Sequence, residues 1–497
     1  MEFLRLLGLP QFVQKIIAAL LSFIIGIMPA STFTTQEDAS EYMLTGDEVF
    51  AYDAGDGWTV GFAQEVLTPE DVTADTYYIA GYNTNNPALD VLDDMYAKAV
   101  YIDDNTGRGG VVVCALDCVG ISRADINDIR QAVIESGKIP NLKSINICAT
   151  HTHSAVDTQG LWGSAFYSDG KNDGFMKSLK EKTAEAIINA YEARENGKLY
   201  FGTAEAEGMQ ADTRTPIDYD STVTSIRFEP SDGGNDTYIV NFASHAEMLG
   251  AKTTVISADF PAYMSKKINE QTGGANVVFV QGAVGGLITG DKINEILDKT
   301  IDFDCLAYTI EYGEKLADIV LGITNETELA PVINVKSQTV SVACDNTALI
   351  LARFIGVLNN DVLLDDNGKV YIISEVSYMQ LGDKQIGVYM IPGELYPELE
   401  SGNFLSAQDA ANGTDADYTV LSEMSDCGHN FVLGLCNDEL GYIIPDNDFM
   451  LHEWLPYFNI GYDDADRKHY EETNSTGPET ARTLLETMEM LIESAEQ

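Results

Sequence analysis

The sequence predicts a mixed α/β fold, β-sheets flanked by helices, and three observations carry that prediction. Short runs such as Ser144 to Ala149 alternate in polarity at a period of two. Other stretches repeat apolar residues at helical spacing, as in Ile126, Ile129, Val133 and Ile134. The two kinds follow one another with turn residues between them and with no solenoid repeat.

Composition sets outer bounds. With 497 residues, 45% of them hydrophobic, the chain can bury a sizeable core in one large unit or in two or three domains. The formal charge is −49, from 78 acidic against 29 basic residues, with the acids dispersed. Such a surface offers no basic footprint for nucleic acid and repels an anionic membrane. A lipid substrate would therefore be drawn in by an apolar cleft, with membrane contact at most transient.

The first residues depart from this composition. Arg5 and Lys15 precede the apolar run Ile16 to Ala30, which is short for a span of about 20 residues and has the positive flank of a secretory signal. Met28-Pro29-Ala30 is a poor cleavage site, and the uncharged stretch continues to Gln36, so an uncleaved anchor through residues 16–35 stays open beside export. The expected layout is a signal or anchor at 1–35, an acidic linker at 36–55 and one catalytic unit at 56–497. The seven cysteines are odd in number and scattered, and Cys114 and Cys118 on one extended run sit too far apart to bridge.

Gly57 to Ala63 reads as the first strand, followed by Leu67-Thr68-Pro69 and Ile79-Ala80-Gly81-Tyr82. Asp93 to Ile102 and Gly110 to Leu116 read as paired strands around the turn Asp104-Asn105-Thr106-Gly107. Ser122 caps the next helix. Ser144 to Ser154, S-I-N-I-C-A-T-H-T-H-S, then reads as a strand with Ile145, Ile147, Ala149, His151 and His153 on one face and Cys148, a small core residue, on the other. Imidazole is the commonest metal ligand, though H-x-H alone equally describes two surface or cap histidines.

A helix over about Phe175 to Glu195 leads to the hairpin Thr222 to Phe228 and Tyr238 to Ala243, which delivers His245 in F-A-S-H. A lone histidine there is as well explained by a core or cap role. Asp259 and Pro261 start a helix over Ala262 to Gln271. Val277 to Val280 is a buried strand entering Gln281-Gly282-Ala283-Val284-Gly285-Gly286, and the absence of a following lysine excludes a phosphate loop. After a helix over Cys305 to Leu321 come further strands, including Val370 to Tyr378 and Gln385 to Ile391, the latter ending in I-P-G-E with Glu394. Phe431 to Leu435 runs on to G-Y-I-I-P with Tyr442, and a helix over Glu479 to Glu493 closes the chain.

His151, His245, Glu394 and Tyr442 thus each fall at or just beyond a predicted strand end, where two imidazoles, a carboxylate and a phenol would suit zinc. Residue type and placement do not single these four out from the other acids and tyrosines. The ordered series T-H-T-H-S, N-F-A-S-H, I-S-A-D-F-P-A-Y, V-F-V-Q-G-A, I-P-G-E and G-Y-I-I-P resembles the neutral/alkaline non-lysosomal ceramidase family over roughly Gly57 to Glu493. That resemblance implies a zinc-dependent amidase acting on a ceramide-like N-acyl lipid. It implies a Zn2+ held by His151, His245, Glu394 and Tyr442, with His153, Arg214 in T-R-T-P and Tyr470 in H-Y-E-E lining the substrate amide. Beside those roles, Arg214 also reads as an ion pair and Tyr470 as a packed aromatic. The alternatives in function are a zinc hydrolase for another N-acyl amine or ester, and a weakened binding homologue.

The chain departs from the family pattern at three places. Gly286 and Ile288 stand where G-D-x-S-P has aspartate and serine, Ala246 and Glu247 follow the second histidine where a glycine and a small polar residue are usual, and the family's C-terminal immunoglobulin-like domain is expected to be lacking.

Overall fold

The computed structural model describes residues 42–165, 168–287 and 305–497. The expected signal or anchor and Ile288 lie outside those residues. Strands β1 (Trp58–Val66), β2 (Tyr96–Asp103) and β3 (Val111–Leu116) form an antiparallel meander, as the turn at Asp104 to Gly107 implied. Helix α1 (Arg123–Ser136) is capped by Ser122, whose side chain accepts from the Asp125 N–H. It carries the chain over to β4 (Ser144–Ala149), parallel to β3.

Helix α2 (Asp173–Glu192) leads into β5 (Glu195–Glu205), then the hairpin β6 (Thr222–Pro230) and β7 (Thr237–Phe242). Helix α3 (Phe260–Thr272) returns the chain to β8 (Asn276–Gln281), parallel to β7. The sheet order is β8-β7-β6-β5-β1-β2-β3-β4, with the short strand Thr327–Glu328 added against β5.

After α4 (Cys305–Leu321) the chain builds a second sheet from β9 (Ile333–Cys344), β10 (Val362–Leu364), β11 (Val370–Leu381), β12 (Ile386–Met390) and β14 (His429–Leu433). Helix α5 (Thr347–Phe354) lies between β9 and β10. Two-residue strands β13 (Glu394–Leu395) and β15 (Tyr442–Ile443) pair in parallel, and α6 (Thr480–Ala495) ends the described chain.

Period-two alternation explains the layers. In β3 and β4, Val112, Cys114, Leu116, Ile145, Ile147 and Ala149 face α1 and α2. Val111, Val113, Ala115 and Cys148 face the second sheet, meeting Ile333, Val335, Leu381, Val388 and Leu433. Helices α3 and α4 pack through Phe260, Met264, Tyr312 and Leu316 on the β7 and β8 side. Helix α6 covers the second sheet with Leu484, Leu485, Met488 and Leu491, each fully buried. Truncating one of these to alanine costs about 2–5 kcal/mol. The result is two face-packed sheets between helical layers, a mixed α+β architecture.

The expected linker at 36–55 is docked over its described part. Phe50 stacks on Tyr378 at 6.0 Å between centroids, and Lys143 Nζ lies 3.0 Å from Asp47 Oδ2. An apolar Phe50 and a buried lysine partner fix this segment, acidic or not. Among the described residues no helix is long and apolar enough to cross a membrane.

Candidate functional site

The histidine run does not stay extended. β4 ends at Ala149, and His151 takes a positive φ of 62°. The two imidazoles therefore come together through a turn rather than through strand alternation, a backbone state that non-glycine residues adopt mainly where surrounding contacts impose it. The imposing contacts are visible. Thr152 bridges to Ala246, and the His153 N–H donates to the Ala246 carbonyl at 2.8 Å, so the segment from β4 lies beside the one leaving β7. Gln281, fully buried in β8, donates to the carbonyls of Thr150 at 3.0 Å and Ser244 at 2.6 Å, joining the residues just before His151 and His245.

His151, His153 and His245 form a buried cluster whose ring nitrogens lie within 4.8 Å of one another, a grouping able to hold a metal ion. Two of the rings are oriented by backbone. His151 Nδ1 is 2.6 Å from the Val119 carbonyl and His245 Nδ1 is 2.7 Å from the Leu287 carbonyl. A carbonyl only accepts, so both Nδ1 atoms donate, and each ring turns its Nε2 inward. Glu394 Oε2 lies 3.1 Å from His245 Nε2 and 3.5 Å from His151 Nε2, and receives no aligned hydrogen bond.

His151 Nε2, His245 Nε2 and Glu394 Oε2 thus converge on one point. The edge of a tetrahedron with bonds of about 2.0 Å is about 3.3 Å, so these separations fit one metal ion. His153 differs: its Nε2 is 3.2 Å from His151 Nε2, but its buried Nδ1 has no hydrogen-bond partner. Burial first, then His151 and His245, hold it well below the usual histidine range, so it is neutral.

Glu394 and Tyr442 are brought together by the β13–β15 ladder, in which they are register partners. Burial, and then the carboxylate of Glu394, push the Tyr442 phenol well above its ordinary value. A cation beside it would reverse that order. Tyr442 Oη is 3.4 Å from Tyr470 Oη. All six of these side chains, His151, His153, His245, Glu394, Tyr442 and Tyr470, line one cavity of about 430 Å³. Its remaining wall is largely apolar, from Leu349, Ile350 and Phe354 of α5 with Leu161, Trp162, Leu358 and Ile372.

Arg214 is not among the residues lining that cavity. Its guanidinium lies 2.9 Å from Glu472 Oε1 and 3.2 Å from each of Glu471 Oε2 and Asp448 Oδ2. Three buried carboxylates take its donors, as the ion-pair alternative reads it.

Several cavity residues lay outside the expected set. Tyr82 donates to Glu247 Oε2 at 2.5 Å, and that oxygen lies 3.9 Å from His153 Nδ1. Gly81, at φ 104°, leaves room for the His153 ring, which a Cβ there would meet at 2.4–2.6 Å. Gln159, Arg353 and Glu439 also line the space. The A-G-Y piece and the departure at Glu247 were the available signals for the first group; Gln159, Arg353 and Glu439 had none. Gly286 packs beside Asp212 and Tyr396 rather than in the cavity.

No family model and no curated protein matches the sequence. Among solved structures, the chain is similar to the neutral ceramidase from Pseudomonas aeruginosa, with a TM-score of 0.67 and 14% identity, covering 88% of this chain and 74% of that one. It is also similar to a ceramidase complexed with C2, at a TM-score of 0.66, 14% identity, and 88% and 75% coverage. At that identity the likeness establishes the fold.

Proposed function

We propose that the chain is a zinc-dependent amidohydrolase that cleaves the amide of a ceramide-like N-acyl lipid into a fatty acid and a free amine. The observation that carries this is the set of three inward-facing donor atoms on His151, His245 and Glu394, opening onto an apolar cavity. His151 and His245 would hold the ion through Nε2 and Glu394 through Oε2, and Tyr442 would complete the set. Zinc in such a site lowers the pKa of water from 15.7 toward about 7 and polarises a carbonyl.

The chain's own side chains supply the rest. The Tyr470 hydroxyl donates to the amide oxygen as it gains negative charge. His153, neutral and adjacent, takes a proton from the attacking water and passes it to the leaving nitrogen. The wall from α5 accommodates the acyl chain and excludes water. Arg214 acts through Tyr470, by holding Glu471 and Glu472 beside it. The same constellation would hydrolyse another N-acyl amine or an ester, and substrate choice then lies with the cavity wall.

A second ligand set, His151, His153 and His245, is favoured by the mutual approach of their ring nitrogens. The two sets differ in whether His153 or Glu394 holds the ion. We place the protein outside the cytoplasmic membrane on the strength of residues 1–35, as an exported or tethered enzyme. Metal analysis followed by a panel of soluble N-acyl amines, short-chain ceramide analogues and esters tests the function. Full turnover of every substrate after complete chelation would refute it.

A further inference from the structure

We propose that Cys148 and Cys436 are the two halves of a disulfide that ties the first sheet to the second beside the histidine cluster. Cys148 lies in β4, and Cys436 follows the end of β14 by three residues; the two are partners in an isolated antiparallel bridge. The flanking hydrogen bonds run from the Ala149 N–H to the Leu435 carbonyl, 3.1 Å, and from the Asn437 N–H to the Ile147 carbonyl, 2.8 Å. That pattern makes 148 and 436 the non-hydrogen-bonded pair of the bridge. In such a pair the Cα atoms stand about 4.5 Å apart and the side chains approach most closely. A disulfide needs a Cα separation of about 4.4–6.8 Å. Both side chains are fully buried in the apolar layer between the sheets.

As thiols the two make weak use of this place, the Cys148 S–H donating to the Cys114 carbonyl at 3.6 Å. Oxidation removes two protons and two electrons from the pair. A low-molecular-weight disulfide supplies the oxidising equivalent: one protein thiolate attacks it and releases a small thiol, and the second protein thiol then displaces the other small thiol as the protein S–S bond forms. Burial, and then the neighbouring Cys148, push the Cys436 thiol well above its ordinary value, so this exchange belongs to folding, before the sheets close. The bond would join the strand that delivers His151, three residues on, to the segment that delivers Tyr442, six residues on.

The test uses the full chain, folded once with oxidised and reduced glutathione and once in a phosphine reductant, then alkylated in denaturant, digested and mapped by mass. The expected result is a peptide pair joined through Cys148 and Cys436 in the first sample only. Its Tm should exceed that of the reduced sample by a few degrees, and the double variant Cys148→Ala, Cys436→Ala should lose this dependence on reductant. Complete alkylation of both cysteines after oxidative folding would overturn the proposal, as would a cross-link whose reduction leaves Tm unchanged. The mapping of the unaltered chain decides the matter even where the double variant fails to fold.

Discussion

Glu394 and Tyr442 are presented side by side by their backbones, as register partners in a ladder only two residues long. The carboxylate and the phenol therefore reach the histidines as one unit. His151→Ala, His245→Ala and Glu394→Ala are expected to remove both bound metal and activity, since each leaves the ion under-coordinated. Tyr442→Phe is expected to keep most of the metal and lose rate. Metal content per chain against kcat checks this, and a full equivalent of zinc in His151→Ala would defeat the assignment.

His153→Ala and Tyr470→Phe are expected to retain metal and lose rate by about 10² or more, because each removes a proton-transfer or oxyanion contact. The metal-to-protein ratio separates the two ligand sets. Loss of metal from His153→Ala together with its retention in Glu394→Ala would favour the three-histidine site.

Arg214→Ala is expected to lower stability by about 3–5 kcal/mol, because it removes the guanidinium shared by the buried Glu471, Glu472 and Asp448 and leaves only His469 beside Glu472 and Arg467 beside Asp448. Arg214→Lys keeps the charge but not the fork, and should fall between. Denaturant midpoints measure both. An unshifted midpoint with lost activity would return Arg214 to a role at the amide.

Glu398 is buried, and burial, with Asp212 and Asp218 adding to it, pushes its carboxyl up to about 8. The unfolded value is about 4.3, so the folded state holds the extra proton between these limits. This contribution to stability is full below about pH 4 and is lost as pH rises through about 8. Between pH 5 and 8 the Tm of Glu398→Gln should consequently fall less than that of the unaltered chain. Parallel Tm profiles of the two would refute this.

Local signals recovered most elements. Ser122 capped its helix and Asp104 to Gly107 turned its hairpin, since both depend on residues within a few positions. Strand β5 was missed because the helical pattern ran on toward Glu195 and Gly197 and Gly202 weaken a strand signal; the long β9 was not singled out. At the site, the ordered motifs and their resemblance singled out His151 and His245, but the turn at His151 depends on Ala246, nearly a hundred residues away. The partners of Arg214 were not legible for a similar reason, since they lie far along the chain at Asp448, Glu471 and Glu472.

The floor beneath His153 is peptide, at Gly81, where even a methyl group would overlap the ring. An alanine there would leave every polar atom of the site chemically intact and still evict the His153 ring. Position 81 thus works as a steric gauge: comparing proteins of this fold by the ligands and tyrosines they retain would pass over the one place where a missing side chain decides whether the histidine can take its seat.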